Sequence, residues 1–424
     1  MYSSLIEHQP TDTDHPATAA AHHVFLMAEG FAPTVIDSQV LDTLRSLQAH
    51  AIQSDLVAMV TFGALRTNWD SYLTRRARYR TILGTRVLLL PAWQLYRAGS
   101  ATVLAFLTWA VTSFNPTTRL VIHARGHHAA HVAIRLKRIR PNVKVLYDIR
   151  GDAASEYRMM AKQFGDLGAK RQLAYIDEIV TSCVREADAF VVVSAPLRDV
   201  MTHTYGLNPQ VTSIIACLAD ERRFFYSPEQ REQLRTRWGL QDKHVLIFAG
   251  STGRWHHVEH TLKWARRIME RDDAAFFVGL TPDVSQLTAV CGQILPPHRY
   301  LVHTAEHDEV PGWLNAADLG MLLRKADPVN SVASPTKFAE YMLCGLPTLT
   351  SVGLGDVTHY VTQNRAGVVE SGEIIDDLVS ECLDWLHGTP DPLREARARI
   401  AVFTYSKAAG IPRLADIYRR LAQI

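Results

Sequence analysis

Apolar residues fall along most of this chain in short unbroken runs, separated by stretches whose apolar positions follow a helical period. Residues 24–28, 56–62, 87–90, 120–123, 143–147 and 189–193 are runs of the first kind, as a strand buried on both faces requires. Between them the period changes: in 37–47, Val40, Leu41, Leu44 and Leu47 share one helical face, and the polar and small residues 29–33 mark a loop after the first strand. A second series of runs, at 245–249, 275–279, 300–303, 319–323 and 348–350, repeats the alternation. Strand and helix in turn predict an α/β protein with parallel sheets covered on both faces.

At 424 residues the chain has room for two or three domains. The break between the two series, near 209–228, divides it into an expected first domain at 23–215, a second at 216–405 and a final helical segment at 406–424, where Leu414, Ile417, Tyr418 and Leu421 form one face. Residues 1–22 are read as a disordered tail; they have neither the basic nor the apolar region of a secretory signal. The most apolar stretch, 101–114, is too short to span a bilayer and reads as a buried helix. A net charge of +2 gives no reason to expect a nucleic-acid partner. The five cysteines contain no C-x-x-C pair, which removes a thiolate zinc site and fits a reducing cytoplasm. Arg75, Arg76, Arg78 and Arg80 form one dense basic cluster, either a solvated helix face or a contact for anionic lipid headgroups.

The most informative stretch is Ser-Pro-Thr-Lys-Phe-Ala-Glu-Tyr-Met-Leu-Cys-Gly-Leu-Pro, from Ser334 to Pro347. Ser334 as a cap and Pro335 at the first helical position start a helix, Phe338, Tyr341 and Met342 give it a buried face, and Gly345 stops it. Lys337 in the first turn opposes the helix dipole, where a cation is disfavoured by about 0.3–1 kcal/mol. Free N–H groups plus a lysine make a cradle for a diphosphate, and Glu340, one turn on, is placed to hold neighbouring hydroxyls. An exposed i, i+3 ion pair is the plainer alternative.

These residues resemble the nucleotide-sugar signature of GT-B glycosyltransferases, specifically the large retaining "group 1" (family 4-like) enzymes. The resemblance extends over nearly the whole chain and is strongest at 314–356. It implies a GT-B architecture: two facing Rossmann-like, doubly wound domains with a cleft between them. It further implies a nucleoside diphosphate sugar donor, a glycan or lipid-linked acceptor, no cofactor beyond the donor and no metal ion. In that family the lysine and helix N-terminus hold the donor diphosphate and the glutamate holds the ribose, roles that fall here on Ser334, Thr336, Lys337 and Glu340. The family's other glutamate, eight residues before Glu340, is Val332 in this sequence. Cys217-Leu218-Ala219-Asp220 resembles its interdomain connection.

Other groups sort around this centre. Gly250, Ser251 and Gly253 follow a predicted strand, so the backbone can approach a ligand there. By the resemblance, Arg254 pairs with Lys337 across the leaving diphosphate; where the family often has a lysine a few residues later, Trp255-His256-His257 intervene here, and His256 could assist when protonated. Arg324 and Lys325, at the end of another strand, either face the phosphates or are solvated strand-end charges, the second being the preferred reading. In the first domain, His127 and His131 have i, i+4 spacing, but no acidic residue or cysteine completes a metal set. Arg125 and His127 are candidates to line the acceptor side of the cleft, with structural histidines as the alternative. Asp148, Arg150 and Glu156 surround the next strand end, where a carboxylate can orient an acceptor hydroxyl. Asp152 nearby has a sufficient role as a helix cap. A nucleotide-sugar epimerase and a non-catalytic nucleotide-sugar-binding protein are the competing functional classes. No strand is followed by G-x-G-x-x-G, which disfavours a nicotinamide enzyme.

Overall fold

A computed structural model describes residues 21–28, 36–92, 98–112, 118–161, 166–253, 255–388 and 391–423. The expected tail (all but its last two residues), the loop at 29–33 and Arg254 lie outside these residues.

Seven parallel strands form the first sheet in the order β3-β2-β1-β4-β5-β6-β7. They are β1 (His22–Met27), β2 (Ser54–Thr61), β3 (Val87–Ala92), β4 (Leu120–Arg125), β5 (Val143–Ile149), β6 (Ala189–Val192) and β7 (Thr212–Ile214). The second sheet runs β10-β9-β8-β11-β12-β13, also parallel. Its strands are β8 (His244–Ala249), β9 (Ala275–Leu280), β10 (Tyr300–His303), β11 (Leu319–Leu322), β12 (Thr348–Ser351) and β13 (Gly367–Glu370). Both orders reverse direction at their centre, between β1 and β4 and between β8 and β11. In such sheets the crevice outside the carboxyl ends of the strands, at that reversal, is where ligands bind.

All six residues of β4 are buried, which explains its unbroken apolar reading and makes its terminal Arg125 notable. The two strands missed by the apolar runs, β7 and β13, are both sheet edges. β7 has three half-buried residues, and β13 begins on a glycine and alternates in burial, so neither shows the continuous pattern of a central strand.

The helix Ala98–Thr112 departs from its expected burial. It packs Ala101, Leu104, Ala105 and Thr108 inward but leaves Val103 61%, Phe106 55% and Leu107 39% exposed. Among the described residues no helix is long and apolar enough to cross a membrane. The basic cluster is divided: Arg76 Nε donates to the Val87 carbonyl at 2.8 Å and Arg78 pairs with Asp37 at 3.4 Å, while Arg80 is exposed.

The chain crosses between the domains twice, and the crossings pair. Ala219 N–H donates to the Tyr405 carbonyl at 2.9 Å and Lys407 N–H to the Ala219 carbonyl at 3.1 Å. The helix that follows, Lys407–Gln423, packs on the first domain, where Ile411, Leu414, Ile417, Tyr418 and Leu421 cover Val121, Leu146 and Val191.

Candidate functional site

The signature helix spans Thr336–Leu343, with Pro335 at its cap position and no side chain capping it. Ser334 is not the expected cap. Its hydroxyl instead accepts the Cys217 N–H at 3.0 Å, so the helix start is fastened to the first interdomain crossing and its leading N–H groups stay uncapped. The helix is buried on more than one face: Phe338, Ala339, Tyr341, Met342 and Leu343 are enclosed, and so is Glu340, 2% exposed. Close packing on β11 depends on Gly320, where a Cβ would come within 2.6 Å of the Tyr341 ring. The Tyr341 hydroxyl accepts the Ala249 N–H at 3.0 Å, tying the helix to the end of β8. Gly345 ends the helix at φ +63°, where a Cβ would lie 2.1 Å from the Arg394 carbonyl oxygen.

Lys337 Nζ lies 2.8 Å from Glu340 Oε2, with the lysine side chain 29% exposed and the carboxylate 3%. The pair is therefore not the exposed one of the plain alternative. At the end of β8, the Gly250 backbone passes so near His256 that a Cβ would lie 3.0 Å from its ring. Thr252 in the same loop donates its N–H to Asp283 at 2.7 Å, holding Ser251 and Gly253 at the strand end. His256 in turn bridges to Arg324 after β11. Burial, then Arg324, then Lys337 push the His256 imidazole down to about 3, so it is neutral at physiological pH and does not assist as a cation.

Arg324 overturns its reading as a solvated charge. It is partly exposed, its Nε is enclosed without a partner, and it makes no ion pair among the described residues. Burial pushes its guanidinium down to about 10 against the opposing pull of Tyr341 and Asp327. A desolvated cation without a counter-ion is costly, and an anion between Arg324, Lys337 and the uncapped helix start would relieve it.

On the first domain, the register sets Arg125 of β4 beside Asp148 of β5. Asp148 is 4% exposed and lies 3.3 Å from His123, 3.4 Å from Arg150 and 3.6 Å from Arg125. Burial alone would raise its carboxyl, but Arg150, His123 and Arg125 outweigh it and hold it well below the usual carboxylate range. His123 also meets the Tyr418 hydroxyl at 2.9 Å.

Gln39 joins this cluster to the signature helix. Its Oε1 accepts from Arg125 at 2.7 Å and Arg150 at 3.2 Å, and its Nε2 donates to the Thr336 hydroxyl at 2.6 Å. Arg150 also donates to Cys217 Sγ at 2.9 Å. Arg125, Asp148, Arg150 and Thr336 are thus gathered in one network, and Gln39, one polar position among many in its helix, carried no sequence signal for its role. Two candidates stand apart. His127 lies against His128, ring centroids 4.0 Å apart, and burial followed by His131 pushes it down to about 4. Glu156 folds back over Gly151, and Asp152 caps the helix Ala153–Met160 through the Ala154 N–H.

Val332 is 2% exposed and packs into the core of the first domain, while its carbonyl accepts from Ser194 Oγ at 2.7 Å. Asp356 accepts the Ala195 N–H at 2.9 Å beside it. An apolar residue here seals the two domains. Val332→Glu should open the cleft rather than unfold the protein, because domain separation rehydrates the carboxylate; small-angle scattering should show a larger radius of gyration with little loss of secondary structure.

No family model and no curated protein matches the sequence. Solved structures do match in fold. Anabaena HepE in complex with UDP-glucose superposes with a TM-score of 0.67 at 14% identity, covering 96% of this chain and 100% of that one. A glycosyltransferase from Rickettsia africae gives 0.66 at 9% identity, covering 95% and 98%. A UDP-forming trehalose-phosphate synthase from Burkholderia xenovorans, in complex with glucose-6-phosphate, gives 0.63 at 11% identity, covering 95% and 100%. The chain has the GT-B architecture of two Rossmann-like domains.

Proposed function

We propose that the protein is a glycosyltransferase that moves a sugar from a nucleoside diphosphate sugar to a glycan or lipid-linked acceptor. The observation that carries this is Arg324, whose enclosed Nε has no partner, acting with Lys337 on His256 near an uncapped helix start, all at the reversal point of the second sheet. Here the diphosphate would take Lys337 from Glu340, freeing the carboxylate to accept from the ribose hydroxyls. As the bond to the sugar breaks, charge grows on the leaving diphosphate, and Lys337, Arg324, Arg254 and the N–H groups of the helix stabilise it without a divalent ion. HepE with its bound UDP-glucose supports the donor class.

Across the cleft, Asp148 acts as a positioning residue: a strongly ionised carboxylate held by Arg150, His123 and Arg125 orients the two arginines and is a poor proton acceptor. His127, neutral at physiological pH, lies on the acceptor side with Glu156. Retention of configuration, by attack on the face the diphosphate leaves, belongs to the same reading. So does a cytoplasmic location with peripheral membrane contact, for which the exposed Val103, Phe106 and Leu107 offer an apolar face.

The test is a thermal-shift screen with UDP, GDP, ADP and their sugar conjugates. One diphosphate should stabilise the wild type by about 2.7 kcal/mol at 100 times its dissociation constant, and Lys337→Ala should lose most of that. An equal shift in the variant would remove the signature helix from the donor site. Release of nucleoside diphosphate only when acceptor is added then separates transfer from epimerisation and from simple binding.

A further inference from the structure

At the end of the second sheet remote from the cleft, side chains from three separate elements converge. His244 opens β8, Asp272 lies in the turn before β9, and His387 ends the helix Asp376–His387. His244 Nδ1 lies 2.7 Å and His387 Nε2 3.1 Å from the same atom, Asp272 Oδ2. The two imidazole rings are 4.7 Å apart between centroids. All three ligand atoms lie within 4.8 Å of one another, the one such group among the described residues.

We propose that His244, Asp272 and His387 form a binding site for a divalent transition metal of the zinc class. Two imidazole nitrogens and one carboxylate suit Zn2+ and its neighbours, whereas Mg2+ and Ca2+ take oxygen ligands. Zinc bonds to such atoms run about 2.0–2.2 Å, which puts tetrahedral ligands roughly 3.3 Å apart. The two separations to Asp272, 2.7 and 3.1 Å, would widen toward that spacing, and the two imidazole nitrogens, within 4.8 Å of each other, would settle to it. On binding, each imidazole would turn a lone pair to the ion and carry its proton on the other ring nitrogen.

The frame for this is already set. Asp272 Oδ1 accepts the Ala274 N–H at 2.9 Å, which leaves Oδ2 to face the two rings. The Asp272 carbonyl accepts from Ala275 N–H at 3.1 Å and from Arg299 at 2.5 Å. His244 is paired with Ala275 across the sheet and donates its N–H to the Ala274 carbonyl at 3.0 Å. Two of the three ligands thus sit on fixed backbone, the condition for a precise site. The carboxylate is 7% exposed, whereas the His244 and His387 side chains keep 35% and 49% exposure, so water can complete the coordination. The ion would staple the end of the helix Asp376–His387 to two strand ends. The length of β8, about 17 Å at 3.3 Å per residue, separates it from Gly250, so it stands apart from transfer chemistry.

The experiment uses the full chain stripped with EDTA and titrated with ZnCl2 by calorimetry, for the wild type and for His387→Ala, which alters a half-exposed helix end. The wild type should bind one more zinc ion per chain and gain a higher melting temperature with zinc, and at this site the variant should bind more than about tenfold more weakly, the least that losing even an outer-shell partner costs. His8, His15, His22 and His23 near the amino end contribute the same background to both proteins. His244→Gln, run in parallel with circular dichroism to confirm folding, should lose the same ion. Zinc-edge anomalous scattering from soaked crystals should place a peak between His244 and His387. Equal stoichiometry and affinity in wild type and folded variants, or a peak elsewhere only, would overturn the proposal.

Discussion

Replacing Arg324 with methionine should lower turnover with the nucleoside diphosphate sugar by about 100- to 1,000-fold, the effect of removing about 2.7–4 kcal/mol of prearranged stabilisation from a developing anion. The same variant should leave the ligand-free protein as stable as the wild type or more so. Both effects have one cause. Arg324 is a partly desolvated cation whose enclosed Nε has no partner, so the ligand-free fold carries a cost for holding it there. Apolar replacements of buried ions of similar volume are often neutral or stabilising by about 1–4 kcal/mol. Initial rates at saturating donor, set beside urea unfolding without donor, measure the two directly. A variant that lost stability and activity together would show Arg324 to be part of the scaffold, and the diphosphate would have to be held by other groups.

Asp148→Asn should destabilise the protein by about 3–5 kcal/mol, because the amide leaves Arg125 and Arg150 near or below the surface without their anion. The wild type should also show an acid-dependent loss that the variant lacks. A carboxyl whose folded pKa is depressed contributes stability that is present above its unfolded pKa, about 3.9, and is lost as the pH falls from there toward its folded value. Urea midpoints between pH 7 and pH 3 should therefore fall more steeply for the wild type below about pH 4, narrowing the gap to the variant without closing it at pH 3, because the folded pKa lies lower still. Parallel curves would mean that Asp148 titrates as an ordinary exposed aspartate, contrary to its enclosure by three cationic or ring partners.

The parts of this molecule that could be read from the chain are those governed by neighbours in sequence. Central strands such as β4 are apolar on both faces and announce themselves, whereas β7 and β13 lie at edges and lack that pattern. Lys337 and Glu340 were legible because their helix has a marked start and stop within fourteen residues, Ser334 to Pro347. The cap itself was misassigned: Ser334 has a competitor for its hydroxyl, the Cys217 N–H, that belongs to a distant crossing. Gln39 escaped, and Arg324 reads first as a solvated charge and only second as a phosphate contact, for the same physical reason. The value of a polar side chain depends on which groups the fold brings to it, and neither the two arginines around Gln39 nor the enclosure of Arg324 leaves a trace in local spacing. Val332 could be seen as a departure from the resembled pattern, but only the packed structure shows it turned into the core of the other domain.

The helix Lys407–Gln423 has a consequence for how the protein is made. It covers Val121, Leu146 and Val191 and supplies Tyr418 to His123, so the core of the first domain is unfinished until this helix, which follows the second domain, has been synthesised. Domains usually fold in the order in which they leave the ribosome. Here the order is inverted: the strands of the second sheet and their covering helices are all present while the first sheet still has a bare face. The nascent first domain must wait, partly apolar and uncovered, for a lid encoded after the whole of the second domain.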